Sequence, residues 1–115
     1  MGTDNMSVSY LVRYEGTPGD PERFHAYYAT THARILRDMP SIRSLILHRP
    51  IAWNDPFPVQ PGDVHLLAQM VFDSTADLDR ALASKARVRA REDFANFPPF
   101  TGTVHHQALR QEVVF

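Results

Sequence analysis

Apolar residues recur along the chain with two periods, one typical of strands and the other typical of helices. Residues 8–14 are rich in β-branched and aromatic side chains and predict a strand. Gly and Pro cluster over residues 15–19, so a turn is expected directly after that strand. Three more segments with the same strand-like composition follow at residues 42–48, 64–72 and 103–114.

Two other stretches have the three- and four-residue apolar spacing of an amphipathic helix. The first covers residues 21–38, with Asp20 as its predicted N-cap and a proline in its first turn. The second covers residues 74–94, with a break expected near Ser84. The element order is therefore βαββαβ. That order predicts an α+β, ferredoxin-like domain with a four-stranded antiparallel sheet and two helices on one face.

Composition limits the class of protein. The 115 residues support one domain, expected over residues 6–114 after a flexible N-terminus of residues 1–5. There is no cysteine, which excludes a disulfide framework, a thiolate nucleophile and a cysteine-ligated metal. The net charge of −1 argues against a nucleic-acid partner. No signal peptide or membrane-spanning apolar run is recognisable, so the sequence predicts a cytoplasmic protein without a membrane partner.

The second and third predicted strands contain the segments SLIL and LLAQMVF, which are almost continuously apolar. Two helices can cover only one face of the sheet. A second copy of the chain, packed sheet against sheet across a two-fold axis, would cover the other face. We therefore predict a homodimer that closes an α/β barrel. The alternative is a monomer that leaves a partly apolar sheet exposed.

A long loop separates these two strands. Residues 50–63 contain four prolines and the only tryptophan, Trp53. Loops of this length in small domains usually have a function of their own. Trp53 is therefore expected either to cover a ligand pocket as part of a lid or to anchor the dimer interface.

Three short motifs resemble those of a known family. The first helix contains F-x-x-Y-Y-x-x-x-H at residues 24–32, M-P-S follows at residues 39–41, and D-x-x-x-F lies at residues 93–97. Together they make nearly the whole chain resemble the EthD family of small dimeric α+β barrel proteins. Tyr28 stands where the family commonly has Trp, and Ser41 stands where it commonly has Gly.

The resemblance implies a role in small-molecule degradation or secondary metabolism, but it does not define a reaction. EthD proteins accompany oxidative degradation systems, often with a cytochrome P450. Proteins that share the barrel include cofactor-free monooxygenases, methylmuconolactone isomerase, polyketide cyclases and haem peroxidases. A fold with so many activities does not choose among them.

His32 is the strongest candidate for chemistry among the six histidines, because histidine titrates near neutral pH. A regular helix would place it on the rim of the apolar face. We expect it to be a general acid or base at the mouth of a pocket, a role that the resemblance favours. Tyr28, Tyr10 and Trp53 are expected among the pocket walls. The alternative is a histidine at the edge of the core, bonded to a backbone carbonyl, beside tyrosines that only pack.

His48 and His65 flank the long loop. If the hairpin is symmetric about that loop, the two side chains face each other across the strands and can contact a substrate. With Asp63 they could also hold a divalent metal, although an exposed pair at the sheet end is the alternative, and no metal site is predicted. His105 and His106 are adjacent on a strand, so at most one of them can line a pocket.

The basic side chains of the second helix alternate with other residues and therefore scatter over several faces. We expect them to be solvated and not to form a binding stripe. They are Lys85, Arg87, Arg89 and Arg91. His25 is likewise expected at the surface.

Three functions are compatible with the sequence. The first is a cofactor-independent enzyme of the oxidoreductase or isomerase type, which acts on a small apolar metabolite with His32 as acid or base. The second is a non-catalytic accessory or carrier protein for an oxidoreductase system of the cytochrome P450 type. The third is a haem-binding oxidoreductase with a histidine as axial ligand.

Overall fold

A computed structural model describes residues 7–115 as a four-stranded antiparallel sheet with its helices on one face. The strands are β1 (Val8–Pro18), β2 (Ser44–His48), β3 (Val64–Phe72) and β4 (Phe100–Arg110). Their order across the sheet is β2-β3-β1-β4. This confirms the predicted ferredoxin-like βαββαβ fold. The segment expected to be flexible, residues 1–5, lies outside the described residues.

The helical elements are interrupted in both halves of the chain. They are α1 (Pro21–Tyr27), a π-helical turn (Tyr28–His32), α2 (Ala33–Leu36), α3 (Thr75–Leu82), α4 (Lys85–Asp93) and a 3₁₀ turn (Phe94–Asn96). The Asp20 side chain accepts a hydrogen bond from the backbone N of Arg23 at 3.1 Å, as expected of an N-cap. Ser84 separates α3 from α4 and caps α4, which confirms the predicted break. No helix within residues 7–115 is long and apolar enough to cross a membrane.

The turn predicted at residues 15–19 is wrong, because β1 continues to Pro18 and pairs with β4 throughout. Gly16 lies opposite Gly102, with φ values of +140° and +153°. A Cβ on either glycine would collide with the backbone of the facing strand. The glycines that suggested a turn therefore serve a close approach of two strands. For the same reason β4 begins at Phe100, earlier than predicted, and it ends at Arg110.

The predicted pairing of His48 with His65 is also wrong. His48 lies opposite Leu67, two residues further along β3 than a symmetric hairpin requires. Against β1, the register shifts so that Tyr14 faces Leu66 while Glu15 faces Val64. His65 is therefore the unpaired residue of a bulge, which no hydrophobic pattern reveals.

The core lies between the sheet and the helices. Its most deeply buried large side chains come from both layers and are Phe24, Tyr28, Leu66 and Phe72. Each contributes roughly 1.5–3 kcal/mol relative to an exposed position. Aromatic rings pack edge to face around Tyr14, which contacts Phe24 at 5.4 Å and Tyr28 at 5.8 Å between ring centres.

The other face of the sheet, called here the outer face, has no helix over it in the described part of the chain. The strand register places on it the apolar side chains of Leu11, Ile46, Leu67, Val71 and Leu109. The domain is correspondingly flat, at 41 × 39 × 19 Å. Ile46 is 43% exposed and Leu109 is 44% exposed, so this layer lacks the cover that the helices give to the inner face.

Candidate functional site

A cavity of about 630 Å³ lies between the inner face of the sheet and the helices. Its walls are mostly apolar, with residues such as Val12, Leu36, Met39, Met70 and Leu82. The polar side chains that line it are Tyr10, Tyr14, Tyr28, His32, Arg87, Arg91 and His106. The exposed members of the lining are Arg91, Phe94 and His106, so the cavity opens between α4 and β4. A largely apolar cavity with a few convergent polar groups is typical of a small-molecule site.

The π-helical turn positions the central residues of this cavity. Tyr28 and His32 stand at its two ends and are 1% and 6% exposed. A regular helix predicts His32 on the rim of the apolar face, and this expectation is wrong because the π turn changes the helical phase. Such turns inside α-helices occur frequently at functional sites.

His32 is held in place by a buried carboxylate, that of Asp93 at the end of α4. Its Nδ1 donates a hydrogen bond to Oδ2 of Asp93 over 2.9 Å. Oδ1 of Asp93 accepts two further hydrogen bonds, from the hydroxyl of Tyr27 at 2.7 Å and from Nδ2 of Asn96 at 3.1 Å. The ring of His32 also packs against Tyr28 and Phe97, with both ring centres 4.7 Å away. The imidazole is therefore fixed in both tautomer and orientation.

The pKa values of this pair favour a neutral imidazole beside an ionised carboxylate. Burial lowers the pKa of His32 below its ordinary value, and the hydrogen bond and charge of Asp93 offset only part of that effect. Burial by itself would raise the pKa of Asp93. The hydrogen bonds from His32, Tyr27 and Asn96 outweigh burial and hold the pKa of Asp93 below its ordinary value.

The second nitrogen of His32 is the one available to a ligand. Nδ1 is engaged by Asp93, and within residues 7–115 Nε2 has no hydrogen-bond partner. Every fully buried side-chain nitrogen or oxygen in the described residues has such a partner, so Nε2 is not fully buried. Because His32 lines the cavity, Nε2 is the basic atom that a bound molecule would meet.

Two tyrosines form the wall beside His32. Burial raises the pKa of Tyr28 well above its ordinary value, and its neighbour Tyr14 adds to the effect. Burial likewise raises the pKa of Tyr14, and the charge of Arg91 opposes that shift. Both phenols therefore stay protonated and act as neutral donors or as packing surface, and neither is a base.

The expectation that the basic residues of the second predicted helix are solvated is wrong for Arg87, which is half-buried, whereas Arg91 is exposed as expected although it also lines the cavity. Arg87 and Arg91 are one helical turn apart on α4, and both line the cavity together with Ala90. Nη2 of Arg87 donates to the hydroxyl of Tyr10 at 3.3 Å. Arg89, by contrast, is exposed and forms an ion pair with Asp38 at 3.2 Å.

Three residues predicted to contact substrate lie away from the cavity. Trp53 is 55% exposed in the loop between β2 and β3, so it is not a cavity wall. His48 lies on the outer face, where its Nε2 donates to Oε1 of Gln69 at 2.9 Å. His65 packs its ring against Phe24, 5.9 Å between centres. The structure therefore separates the two histidines that a symmetric hairpin would bring together.

The alternative of a metal bound by these histidines and Asp63 finds no support. Within residues 7–115, no group of three or more His, Asp or Glu side chains is arranged to hold a metal ion. His105 and His106 do lie on opposite faces, as predicted. His106 lines the cavity, and Nδ1 of His105 donates to Oε1 of Glu15 on the outer face at 2.7 Å.

Sequence reasoning identified His32, Tyr28 and Tyr10 but missed Asp93, Arg87 and Arg91 as members of the cavity region. The motif at residues 93–97 contained Asp93, but nothing local shows that it contacts a side chain 61 residues earlier. A signal for the arginines did exist. Ala86 and Ala90 mark the buried side of α4, and they place Arg87 and Arg91 beside it.

Comparisons with known proteins agree on the fold and the family. A family model described as EthD domain matches residues 17–98. A Rhodococcus erythropolis protein, described as an uncharacterized 11.0 kDa protein in the thcB-thcC intergenic region, is 30% identical over 80 residues. That match covers 70% of this chain and 74% of the relative.

Solved structures of similar fold have low sequence identity. An EthD family protein from Bacillus halodurans superposes with a TM-score of 0.64 at 22% identity, covering 88% of this chain and 98% of the other. A variant of SnoaB from Streptomyces nogalater, described as a cofactor-independent oxygenase, gives 0.59 at 19% identity and 90% coverage of each chain. A Bacteroides fragilis protein described as dimeric and ferredoxin-like gives 0.56 at 12%, covering 91% and 96%.

Proposed function

This chain belongs to the EthD family, and we propose that it is an enzyme in which His32 takes a proton from a small, largely apolar substrate. The observation that carries the proposal is the hydrogen bond between His32 and Asp93, which leaves Nε2 as the accessible basic atom in the cavity. A histidine oriented by a carboxylate is an arrangement well suited to general base catalysis.

The proton transfer follows from the geometry of the pair. Nε2 of His32 accepts a proton from an acidic C–H or O–H of the substrate, and the imidazole becomes an imidazolium. Asp93 stabilises that charge through the hydrogen bond to Nδ1 and stays ionised, because its pKa is held below the ordinary value. Tyr27 and Asn96 keep the carboxylate in place.

The walls of the cavity favour a substrate with an apolar, flat body. Aromatic and aliphatic side chains line most of the surface around His32. A flat substrate with an acidic C–H bond beside its conjugated system forms a delocalised anion when it loses that proton. The anion is then either reprotonated at another position or oxidised by O₂. The likeness to a cofactor-independent oxygenase supports a reaction of this type without a bound cofactor.

Anthrone is a suitable first probe, because it is an apolar tricyclic ketone with acidic C–H bonds beside its aromatic rings. We expect the protein to accelerate exchange of these hydrogens with D₂O, measured by NMR under argon. In air, one O₂ converts anthrone into anthraquinone and water, and we expect the protein to accelerate this O₂ uptake too. Rates equal to those of buffer alone would contradict the proposal.

Two controls separate this function from the alternatives. Binding of anthrone without exchange or O₂ uptake contradicts an enzyme and favours a carrier. Activity that requires added haemin, or that EDTA abolishes, contradicts a cofactor-independent reaction. Activity that persists with EDTA and without haemin supports the proposal.

We also propose that two copies of the chain pack outer face against outer face. The apolar side chains on that face support this arrangement, because monomers rarely leave such a patch exposed. Light scattering should give twice the chain mass of 13.1 kDa at micromolar concentration. Ile46→Lys should lower that mass towards the monomer without unfolding the chain, because the side chain is already partly exposed. A monomeric wild type would contradict the proposal.

A further inference from the structure

One corner of the cavity, called here the cationic corner, combines Arg87, Arg91, His106 and Tyr10. The guanidinium carbon of Arg87 lies 5.4 Å from the ring centre of Tyr10, and the ring of His106 lies 5.8 Å from the same ring. Burial lowers the pKa of His106, and the charges of Arg87 and Arg91 lower it further. Both guanidinium groups are therefore close enough to act on one imidazole.

Among residues 7–115, no carboxylate lies in the cationic corner to balance its charge. The lining of the cavity in this part of the chain includes neither Asp nor Glu. Within residues 7–115, neither Arg87 nor Arg91 forms an ion pair, whereas Arg43, Arg49, Arg80 and Arg89 each pair with a carboxylate at the surface. In the described part of the chain, the guanidinium of Arg87 donates a hydrogen bond only to the neutral hydroxyl of Tyr10. Two cations that line a largely apolar cavity without a carboxylate create a strongly positive potential there.

We propose that the cavity binds a small aromatic or aliphatic carboxylate, with its carboxylate between Arg87 and Arg91 and its apolar body directed towards His32. Guanidinium groups bind carboxylates with two parallel hydrogen bonds, and these bonds are strongest where water is scarce. Arg91 lines the cavity together with Tyr14 and His106, and its charge lowers the pKa of both of these side chains. This inference deepens the proposed function by naming the substrate class, and it rests on the same cavity.

Two ligands of equal shape test the charge requirement. Calorimetric titration of the wild type with 2-naphthoate and with 2-naphthamide compares a carboxylate with a neutral group on the same ring system. We expect 2-naphthoate to bind about tenfold more tightly or better, because a charge-assisted hydrogen bond contributes at least that factor. Equal affinities, or no detectable binding of 2-naphthoate, would overturn the proposal.

Variants on α4 test which residues cause the preference for 2-naphthoate over 2-naphthamide. Arg87→Gln and Arg91→Gln should each reduce 2-naphthoate affinity about tenfold and leave 2-naphthamide affinity unchanged within about a factor of two. The unchanged affinity for the amide shows that the cavity is still folded. Arg89→Gln is the matched control on the same helix and should leave both affinities unchanged. A preference for 2-naphthoate that survives in the double variant at Arg87 and Arg91 would contradict the assignment.

The outcome is independent of the proton-transfer proposal. His32→Gln should retain the preference for 2-naphthoate, because that preference is assigned to the guanidinium groups of Arg87 and Arg91 and not to His32. If wild type shows the preference but never accelerates exchange of a carbon acid, the base assignment fails and the carboxylate site stands. If exchange is accelerated but the two ligands bind equally, the carboxylate site fails and the base assignment stands.

Discussion

The two sides of the sheet each carry a histidine–carboxylate pair of nearly the same geometry. On the inner side, Nδ1 of His32 lies 2.9 Å from Asp93, and on the outer side Nδ1 of His105 lies 2.7 Å from Glu15. The inner side chains are only 7% and 8% exposed, whereas the outer ones are 55% and 22% exposed. The hydrogen bond is therefore the same, and the surroundings differ.

Hydrogen-bond geometry alone therefore does not distinguish the pair that we propose to be catalytic from the pair on the surface. Solvent screens the outer pair and lets both side chains move, so its interaction contributes little. The inner carboxylate has three donors around it, and the inner imidazole faces a cavity that can hold a substrate. Burial and the adjoining cavity are therefore the features on which our proposal of proton transfer at the inner pair rests.

Removing each carboxylate should produce the largest contrast. Asp93→Ala leaves three donors without their acceptor, so we expect a loss of about 3 kcal/mol in the free energy of unfolding. Glu15→Ala should cost about 0.5 kcal/mol, as is usual for exposed pairs. Urea denaturation at pH 7 measures both values. Equal losses would show that the inner pair has no special environment.

The burial of His32 should also make the stability of the protein depend on pH. Because burial lowers the pKa of His32 in the folded state, the unfolded chain binds the proton first as the pH falls below about 6.5. The contribution of His32 to stability is therefore complete above that pH and is lost as the pH falls towards its lower, folded-state pKa. Urea denaturation of wild type and His32→Gln between pH 8 and pH 5 isolates this loss.

The matched variant His105→Gln serves as the control for that series. It removes a histidine from an exposed pair, so it measures the cost of losing a histidine that is not buried. If the free energy of unfolding of His32→Gln falls with pH as steeply as that of the wild type, protonation of His32 does not destabilise the folded chain.

Substitution of Ser41, which belongs to neither pair, should have a smaller effect that separates stability from function. Ser41 has a φ of +64°, where a residue with a side chain is strained and glycine is not. Ser41→Gly should therefore raise the free energy of unfolding by about 0.5 kcal/mol, the relief of strain exceeding the added entropy of the unfolded chain. It should leave proton exchange unchanged. A change in exchange here would mean that activity follows stability and not the His32 environment.

Local sequence signals predicted the helices and strands well, but they predicted poorly which residues face each other across the strands. Asp20 caps the first helix and the helix break falls at Ser84 where expected, because both depend on residues close by in the chain. The bulge at His65 and the paired glycines of β1 and β4 depend on the facing strand, so a single segment cannot reveal them. The sequence therefore predicted the fold but placed His48 beside the wrong residue.

The candidate site was predictable in part for the same reason. The motif of the first helix identified His32 and Tyr28, but the π turn that buries them gives no hydrophobic pattern of its own. Ala86 and Ala90 indicate that Arg87 and Arg91 lie beside the buried side of α4, but the cavity that the two arginines line is formed by the packing of α4 over the sheet. Burial, which distinguishes the two histidine–carboxylate pairs, is a property of the whole fold.

The most direct test of the account compares proton exchange of anthrone by three proteins under argon in D₂O. We predict that His32→Gln reduces the protein-dependent rate about 100-fold or more, the usual contribution of a general base. His105→Gln, which breaks the outer pair, should exchange at the wild-type rate. A His32→Gln variant that is folded and exchanges anthrone as fast as the wild type would contradict the central claim.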